Sequence, residues 1–264
     1  DEMTKKILQK TAYEQALRSA ISQNQLELHY QPQVHIKTGK IISAEALIRW
    51  NYPNVGMILP SIFIPIAEHT GLINPIGEWV IHEACRQGKI WLDKGYHLTI
   101  AVNVSPNQVK FQNIPLIVSA ALKASGYHAD KLEIEITESS LMQREEQTVE
   151  MLHSLRAKGI RLAIDDFGTG YSSLSYLTRF PIDVLKIDKS FIDNIPYEKE
   201  SSTIVVAIIE MSKALGFQVL AEGVEQQEQL DFLAEKGCNI YQGYIKSKPI
   251  PAQEFEKLLE EQNH

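Results

Sequence analysis

The chain has 264 residues, 44% of them hydrophobic and 22% charged. That apolar share fills a large core and excludes a disordered or fibrous chain. Its 26 basic and 33 acidic residues give a formal charge of -7, which excludes a partner such as long nucleic acid but leaves room for a small anion where metal ions or local groups supply positive charge.

From the N-terminus, the opening Asp1-Glu2-Met3-Thr4-Lys5-Lys6 lacks a signal-peptide core, and no apolar run approaches the ~18 residues of a membrane span. A soluble domain in the cytoplasm is expected, either a piece excised from a longer protein or the cytoplasmic portion of a membrane-attached one. Residues 1–22 are expected to form a linker or helix, and residues 23–264 a barrel domain. Alternating patterns at 26–34 and 41–50, joined by Lys37-Thr38-Gly39-Lys40, predict an opening β-hairpin. Short apolar segments then follow at 98–105, 132–137, 160–166, 184–188, 218–222 and 239–244. They alternate with helical patterns at 75–92, 113–125, 143–158, 201–215, 226–235 and 252–260. Gly95, Gly126, Gly159, Gly216 and Gly237 punctuate the helix ends. About eight strands alternating with helices predict an α/β fold, a TIM-like (β/α)8 barrel with one antiparallel strand from the opening hairpin. Cys85 and Cys238 lie far apart and read as buried free thiols; the scattered histidines have no ligand spacing, and Trp50, Trp79 and Trp91 read as packing residues.

Strand parity locates the polar residues. In 98–105, Thr99, Ala101, Asn103 and Ser105 share the smaller, inward face. The same alternation groups Glu45 with Leu47 and Arg49, Glu133 with Glu135, and Lys186 with Asp188. Asp165 faces inward while Asp166 is expected to begin the exit from its strand. Glu222 and Gln242 fall near the ends of the last two strands. These groups gather at the C-terminal ends of the strands, the face on which barrel active sites are built. Converging carboxylates are costly to hold without cations. Carboxylates plus one amide oxygen select hard divalent ions such as Mg²⁺ or Mn²⁺. The paired aspartates suggest a second ion, with Asp165 as the bridge, and two-metal phosphodiester hydrolysis follows. Lys186 is placed to orient water or balance phosphoryl charge; a simple ion pair with Asp188 explains it equally well.

The run Asp165-Asp166-Phe167-Gly168-Thr169-Gly170-Tyr171-Ser172-Ser173 puts a Gly-rich loop directly after the paired aspartates. An ordinary strand-to-helix turn accounts for those glycines about as well as a loop linked to metal occupancy. Glu138 is close enough in sequence to Glu135 to hold that loop, or else to cap the next helix.

The run Glu45-Ala46-Leu47-Ile48-Arg49-Trp50 resembles the signature of the EAL-domain cyclic di-GMP phosphodiesterases. The likeness extends over nearly the whole chain, through Tyr30-Gln31-Pro32, Phe63-Ile64-Pro65-Ile66-Ala67-Glu68, Asn103-Val104-Ser105, Glu135-Ile136-Thr137-Glu138, the aspartate loop, Lys186-Ile187-Asp188, Glu222-Gly223-Val224-Glu225 and Gln242-Gly243-Tyr244. It implies opening of cyclic di-GMP to linear 5'-pGpG with Mg²⁺ or Mn²⁺, two ions per site, and a regulatory setting in a full-length protein. Ca²⁺ is expected to be inhibitory, because its larger, flexible shell alters metal spacing.

The resemblance assigns one metal to Glu45, Asn103, Glu135 and Asp165, and the second to Asp165 and Asp166 with Glu222 nearby. It sets Lys186 and Asp188 beside the nucleophilic water, makes Glu222 a candidate base or ligand, and has Gln242 assist. Gln31, Leu47, Arg49 and Tyr244 resemble substrate contacts, and Glu138 the residue that steadies the loop. Family analogy alone also suggests a homodimer, with the early segment 11–22 as a dimerisation or linker helix. Tyr52 and the pair Ile245-Lys246 depart from the common pattern, at positions that bear on the pocket rim or on stability. Two other readings stand beside this one: a catalytically silent cyclic di-GMP receptor, and a glycoside hydrolase using two carboxylates on the same barrel. The second leaves Asn103, Lys186 and the aspartate pair unexplained.

Overall fold

The computed structural model describes residues 2–141, 145–169 and 177–262. The loop residues Gly170 to Ser173 lie outside them, as do Gln143 and Arg144 of the helix expected over 143–158. In chain order the elements are α1 (Glu2–Leu17), β1 (Leu26–His35), β2 (Ile41–Tyr52), β3 (Gly56–Ile58), α2 (Pro60–Thr70), α3 (Ile73–Asp93), β4 (Thr99–Val104), α4 (Pro106–Phe111), α5 (Ile114–Ser125), β5 (Leu132–Thr137), α6 (Glu138–Leu141) and α7 (Glu145–Ala157). They continue with β6 (Arg161–Phe167), β7 (Val184–Ile187), α8 (Lys189–Ile192), α9 (Lys199–Leu215), β8 (Gln218–Glu222), α10 (Gln227–Lys236), β9 (Ile240–Gln242), β10 (Ile250–Pro251) and α11 (Ala252–Gln262).

Eight strands close into a barrel in the order β1, β9, β8, β7, β6, β5, β4, β2, with β2 returning to β1. As the hairpin pattern predicts, β1 runs antiparallel to both of its barrel neighbours, while the remaining pairs are parallel. The short strands β3 and β10 extend β2 and β1 outside the barrel.

Local chemistry sets the element ends. Ser105 lies beyond its strand as the N-cap of α4, where its hydroxyl and the Gln108 side chain form a reciprocal capping box. The Asn113 side chain caps α5, and Gly126, at φ 72°, ends it in the left-handed conformation. Helix α3 buries Ile76, Val80, Ala84 and Trp91 along one face, the helical period read from its sequence. The last barrel strand ends at Gln242, and only glycine fits at the next position, because a Cβ at Gly243 would meet the Val224 backbone oxygen at 2.0 Å.

Packing is layered. Outside the barrel, Tyr30, Trp91 and Phe255 cluster in edge-on and tilted contacts with centroid separations of 4.8 to 6.1 Å. From α1, Tyr13 packs edge-on against Trp50 at 5.7 Å, and Leu17 joins the same core. Inside the barrel, Ala163, Val184, Leu220 and Ile240 form an apolar layer. At the level of the strand starts, Glu133 pairs with Arg161 at 3.1 Å, so the inward carboxylate of β5 nearer its beginning already has a partner. Those nearer the strand ends are gathered elsewhere. Cys85 and Cys238 are buried free thiols, and burial pushes both up to about 12. Among the described residues no helix is long and apolar enough to cross a membrane.

Candidate metal centre and active site

At the mouth where the parallel strands end, side chains from every barrel strand come together. Glu45 comes from β2, Asn103 from β4, Glu135 from β5, Asp165 and Asp166 from β6, Lys186 from β7, Glu222 from β8, Gln242 from β9 and Gln31 from β1. At the centre is Lys186, 0% exposed. Its ammonium lies 2.7 Å from Glu135 Oε2, 3.0 Å from Glu222 Oε1, 3.3 Å from Asp165 Oδ1 and 3.7 Å from Glu45 Oε2. The partner is therefore a ring of carboxylates rather than the Asp188 pairing that parity allowed. Burial alone would lower the Lys186 pKa, but Asp165, Glu135, Glu222 and Glu45 together raise it well above its ordinary value. The ring thus favours the ammonium form of Lys186.

One ammonium does not balance this ring. Burial raises the Glu135 and Glu222 carboxyls well above the ordinary glutamate value, and their acidic neighbours add to the shift against the opposing pull of Lys186. Glu135 Oε1 is buried with no hydrogen-bond partner. An orphaned carboxylate oxygen of this kind is costly unless something positive reaches it.

Carboxylate oxygens of Glu45, Glu135 and Asp165 lie within 4.8 Å of one another, and so do those of Asp165, Asp166 and Glu222. The two sets share Asp165. An all-oxygen donor set with an orphaned member suits hard divalent cations. Asn103 sits at the rim, its Nδ2 donating to Glu45 Oε1 at 2.6 Å; a half-turn of its amide would present the oxygen instead.

Adjacent residues in a regular strand face opposite ways, which is why Asp166 reads in the sequence as leaving the strand. The structure corrects this. Strand β6 runs on to Phe167, its register with β7 shifts between Ile164 and Phe167, and Asp166 adopts φ 55°. This irregularity brings Asp166 to the same side as Asp165. Aspartate is among the few residues that tolerate that conformation. Burial, Asp165 and Asp188 push the Asp166 carboxyl from 3.8 up to about 6.

The other expected site residues surround this centre. Asp188 caps α8, with its Oδ1 accepting from Ser190 N at 3.0 Å, and is a close acidic neighbour of Asp166. Glu138 Oε2 accepts from Gly168 N at 2.9 Å, so it reaches the loop after the aspartates. Gln242 Nε2 donates to Glu45 Oε2 at 2.5 Å and to Gln31 Oε1 at 2.9 Å, while Gln31 Nε2 donates to Ser247 O at 3.1 Å. Arg49 is buried and forms no ion pair among the described residues; its Nη1 donates to Ile48 O at 2.8 Å. Burial lowers its pKa, opposed by Tyr244, Glu45 and Glu27. Tyr244 is exposed, with Lys248 over its ring. Leu47 lines a cleft of about 260 Å³ beside Asn103 and Thr137.

Two residues of this network are missing from the sequence reading. Gln33 Nε2 donates to Gln242 Oε1 at 3.0 Å, and Ser43 Oγ donates to Gln33 Oε1 at 2.5 Å. Parity places Gln33 with Gln31 and Ser43 with Glu45, and that was the available signal.

Comparison with known proteins agrees with this architecture. The EAL domain family model matches residues 14–249. The chain is 47% identical over 249 residues to the signaling protein YkoW of Bacillus subtilis, covering 94% of this chain and 31% of that protein. It is 44% identical over 240 residues to MucR of Pseudomonas aeruginosa, a bifunctional diguanylate cyclase/cyclic di-GMP phosphodiesterase, covering 90% of this chain and 35% of MucR. It thus spans about a third of the curated relatives it matches. The solved PaMucR phosphodiesterase, in complex with c-di-GMP, superposes with TM-score 0.90 at 43% identity, covering 92% of this chain and 99% of that one. A matching family model, an identity of this size and a carboxylate ring at the barrel mouth make this chain a member of the EAL-domain family.

Proposed function

We propose that this chain hydrolyses cyclic di-GMP to linear 5'-pGpG with two Mg²⁺ or Mn²⁺ ions. The observation that carries the reading is the pair of carboxylate sets joined at Asp165; the naming of MucR as a cyclic di-GMP phosphodiesterase supports the choice of substrate. Glu45, Asn103, Glu135 and Asp165 would hold one ion, and Asp165, Asp166 and Glu222 the other. Cations there would make a bound water acidic and neutralise charge on the phosphoryl oxygens.

The chain's own groups do the rest. Lys186, in contact with the carboxylate ring, donates to the attacking water or a phosphoryl oxygen. Glu222, 3.0 Å from the Lys186 ammonium and in the second carboxylate set, takes the water's proton. Asp188 adds negative charge beside Asp166, and Gln242 fixes the plane of the Glu45 carboxylate. The water oxygen joins phosphorus, the bond from phosphorus to the ribose 3'-oxygen breaks, and that oxygen takes up a proton from solvent to leave as a 3'-hydroxyl, giving a 5'-phosphate. Arg49, buried with no ion pair among the described residues, presents its donor fork to a phosphate. Gln31, Leu47 and Tyr244 contact the nucleotide, and Glu138 steadies the loop at Gly168.

The test is incubation of the purified chain with cyclic di-GMP and either ion, with products separated by chromatography. Appearance of pGpG is expected. Binding of cyclic di-GMP with no turnover in either ion would reject hydrolysis in favour of a receptor.

A further inference from the structure

The one antiparallel strand of the barrel wires two neighbours together. On β1, Gln31 stands opposite Glu45 of β2, and Gln33 stands opposite both Ser43 of β2 and Gln242 of β9. Their side chains form one unbroken chain, in which Ser43 Oγ donates to Gln33 Oε1, Gln33 Nε2 to Gln242 Oε1, and Gln242 Nε2 to both Glu45 Oε2 and Gln31 Oε1. All five residues are buried.

The direction of this chain is not arbitrary. A carboxylate only accepts, so Gln242 must turn its nitrogen to Glu45 and its oxygen to Gln33. Gln33 must then give its nitrogen to Gln242, leaving its own oxygen for a donor. Among the partners in this chain only the Ser43 hydroxyl meets that need. If any link is reversed, two acceptors face each other; if one is deleted, a buried oxygen loses the donor this chain gives it. The chain ends on Glu45 Oε2, and Glu45 Oε1 is the oxygen that meets Asn103. Whatever holds the Gln242 amide therefore also holds the rotation of the Glu45 carboxylate.

We propose that Ser43 and Gln33 are positioning residues that act through Gln242 to set the Glu45 carboxylate for cation binding. The proposal rests on the reading of Glu45 as a cation ligand. It extends the machinery down the barrel, to residues lining a separate cavity of about 210 Å³ that also holds Thr99, Glu133 and Arg161. Outer partners of metal ligands commonly change affinity by 10- to 100-fold when removed.

Calorimetric titration of the full chain with Mn²⁺ alone tests this. Gln33→Met is expected to weaken the affinity by about 10-fold or more, and Ser43→Ala by several-fold. Ser43→Thr keeps the hydroxyl, and its extra methyl has the neighbouring cavity to enter, so it should stay within about two-fold of the parent. A second readout needs no cation. In protein labelled with ¹⁵N-glutamine, with the Gln242 amide assigned through Gln242→Leu, the proton facing Glu45 should exchange with solvent at least about 10-fold faster in Gln33→Met than in the parent. If Gln33→Met does not fold, Ser43→Ala decides both measurements. An unchanged Gln242 exchange rate in a folded variant overturns the proposal, as does unchanged Mn²⁺ affinity when the parent binds Mn²⁺. A parent chain that binds no Mn²⁺ counts against Glu45 as a ligand, and the exchange rate then decides the relay alone.

Discussion

Lys186 Nζ lies 2.7 Å from Glu135 Oε2, and both side chains are fully enclosed. Each would be costly alone: the ammonium needs the carboxylate ring, and the ring needs the ammonium to stay converged. Lys186→Met should therefore destabilise the fold by about 3–5 kcal/mol near neutral pH, the cost of leaving buried charges unpaired. Adding Mn²⁺ should recover much of that loss by supplying positive charge to the same oxygens. Thermal melts of the variant with and without Mn²⁺ check this; a variant as stable as the parent would mean that the ring does not depend on Lys186.

Stability should also depend on pH in a direction fixed by the carboxyls. Burial holds Glu135 and Glu222 well above the ordinary glutamate value, and Asp166 at about 6. Between the ordinary and raised values the native state binds more protons than the unfolded chain, so unfolding free energy falls as pH rises through that window. For Asp166 the window is from 3.8 to about 6. Cations compete with those protons, so Mn²⁺ should raise Tm more at about pH 8 than at about pH 5. An equal rise at both pH values would contradict these shifts.

The backbone and the charge of Asp166 can be separated. Asn tolerates positive φ at least as well as Asp, whereas Ala pays about 1 kcal/mol or more there. Asp166→Asn should keep the parent Tm or exceed it, since it removes repulsion with Asp165 and Asp188. Asp166→Ala should melt lower. Both should lose hydrolysis, by about 100-fold or more, for want of a ligand charge. Unimpaired hydrolysis by Asp166→Asn would remove Asp166 from the cation set.

Asp165 belongs to both carboxylate sets. Asp165→Asn should cost more activity than loss of a residue belonging to one set, on the order of 1000-fold in kcat/KM, and extra Mn²⁺ should not restore it. Glu45→Ala should also remove activity by disabling one set. Steady-state kinetics across Mn²⁺ concentrations check both; full rescue of Asp165→Asn at high Mn²⁺ would contradict a shared ligand.

The barrel and most of its polar mouth could be read from alternation alone, because a strand's inward face repeats every second residue. Lys186, Glu135 and Glu222 follow from that rule. Asp166 does not, since its position depends on a bulge that parity cannot register. Ser43 and Gln33 were on the correct face, but a single inward polar side chain names no partner until strand order is known. Gln33 and Gln242 are 209 residues apart and meet only because the barrel closes. Strands β3 and β10, three and two residues long, are too short to carry any period.

The most direct measurement is anomalous diffraction from crystals of the chain grown with Mn²⁺. Two peaks about 3.5 to 4 Å apart, both touching Asp165, are expected. A single peak, or peaks that leave Glu45, Glu135 and Asp165 without a cation, would contradict the account.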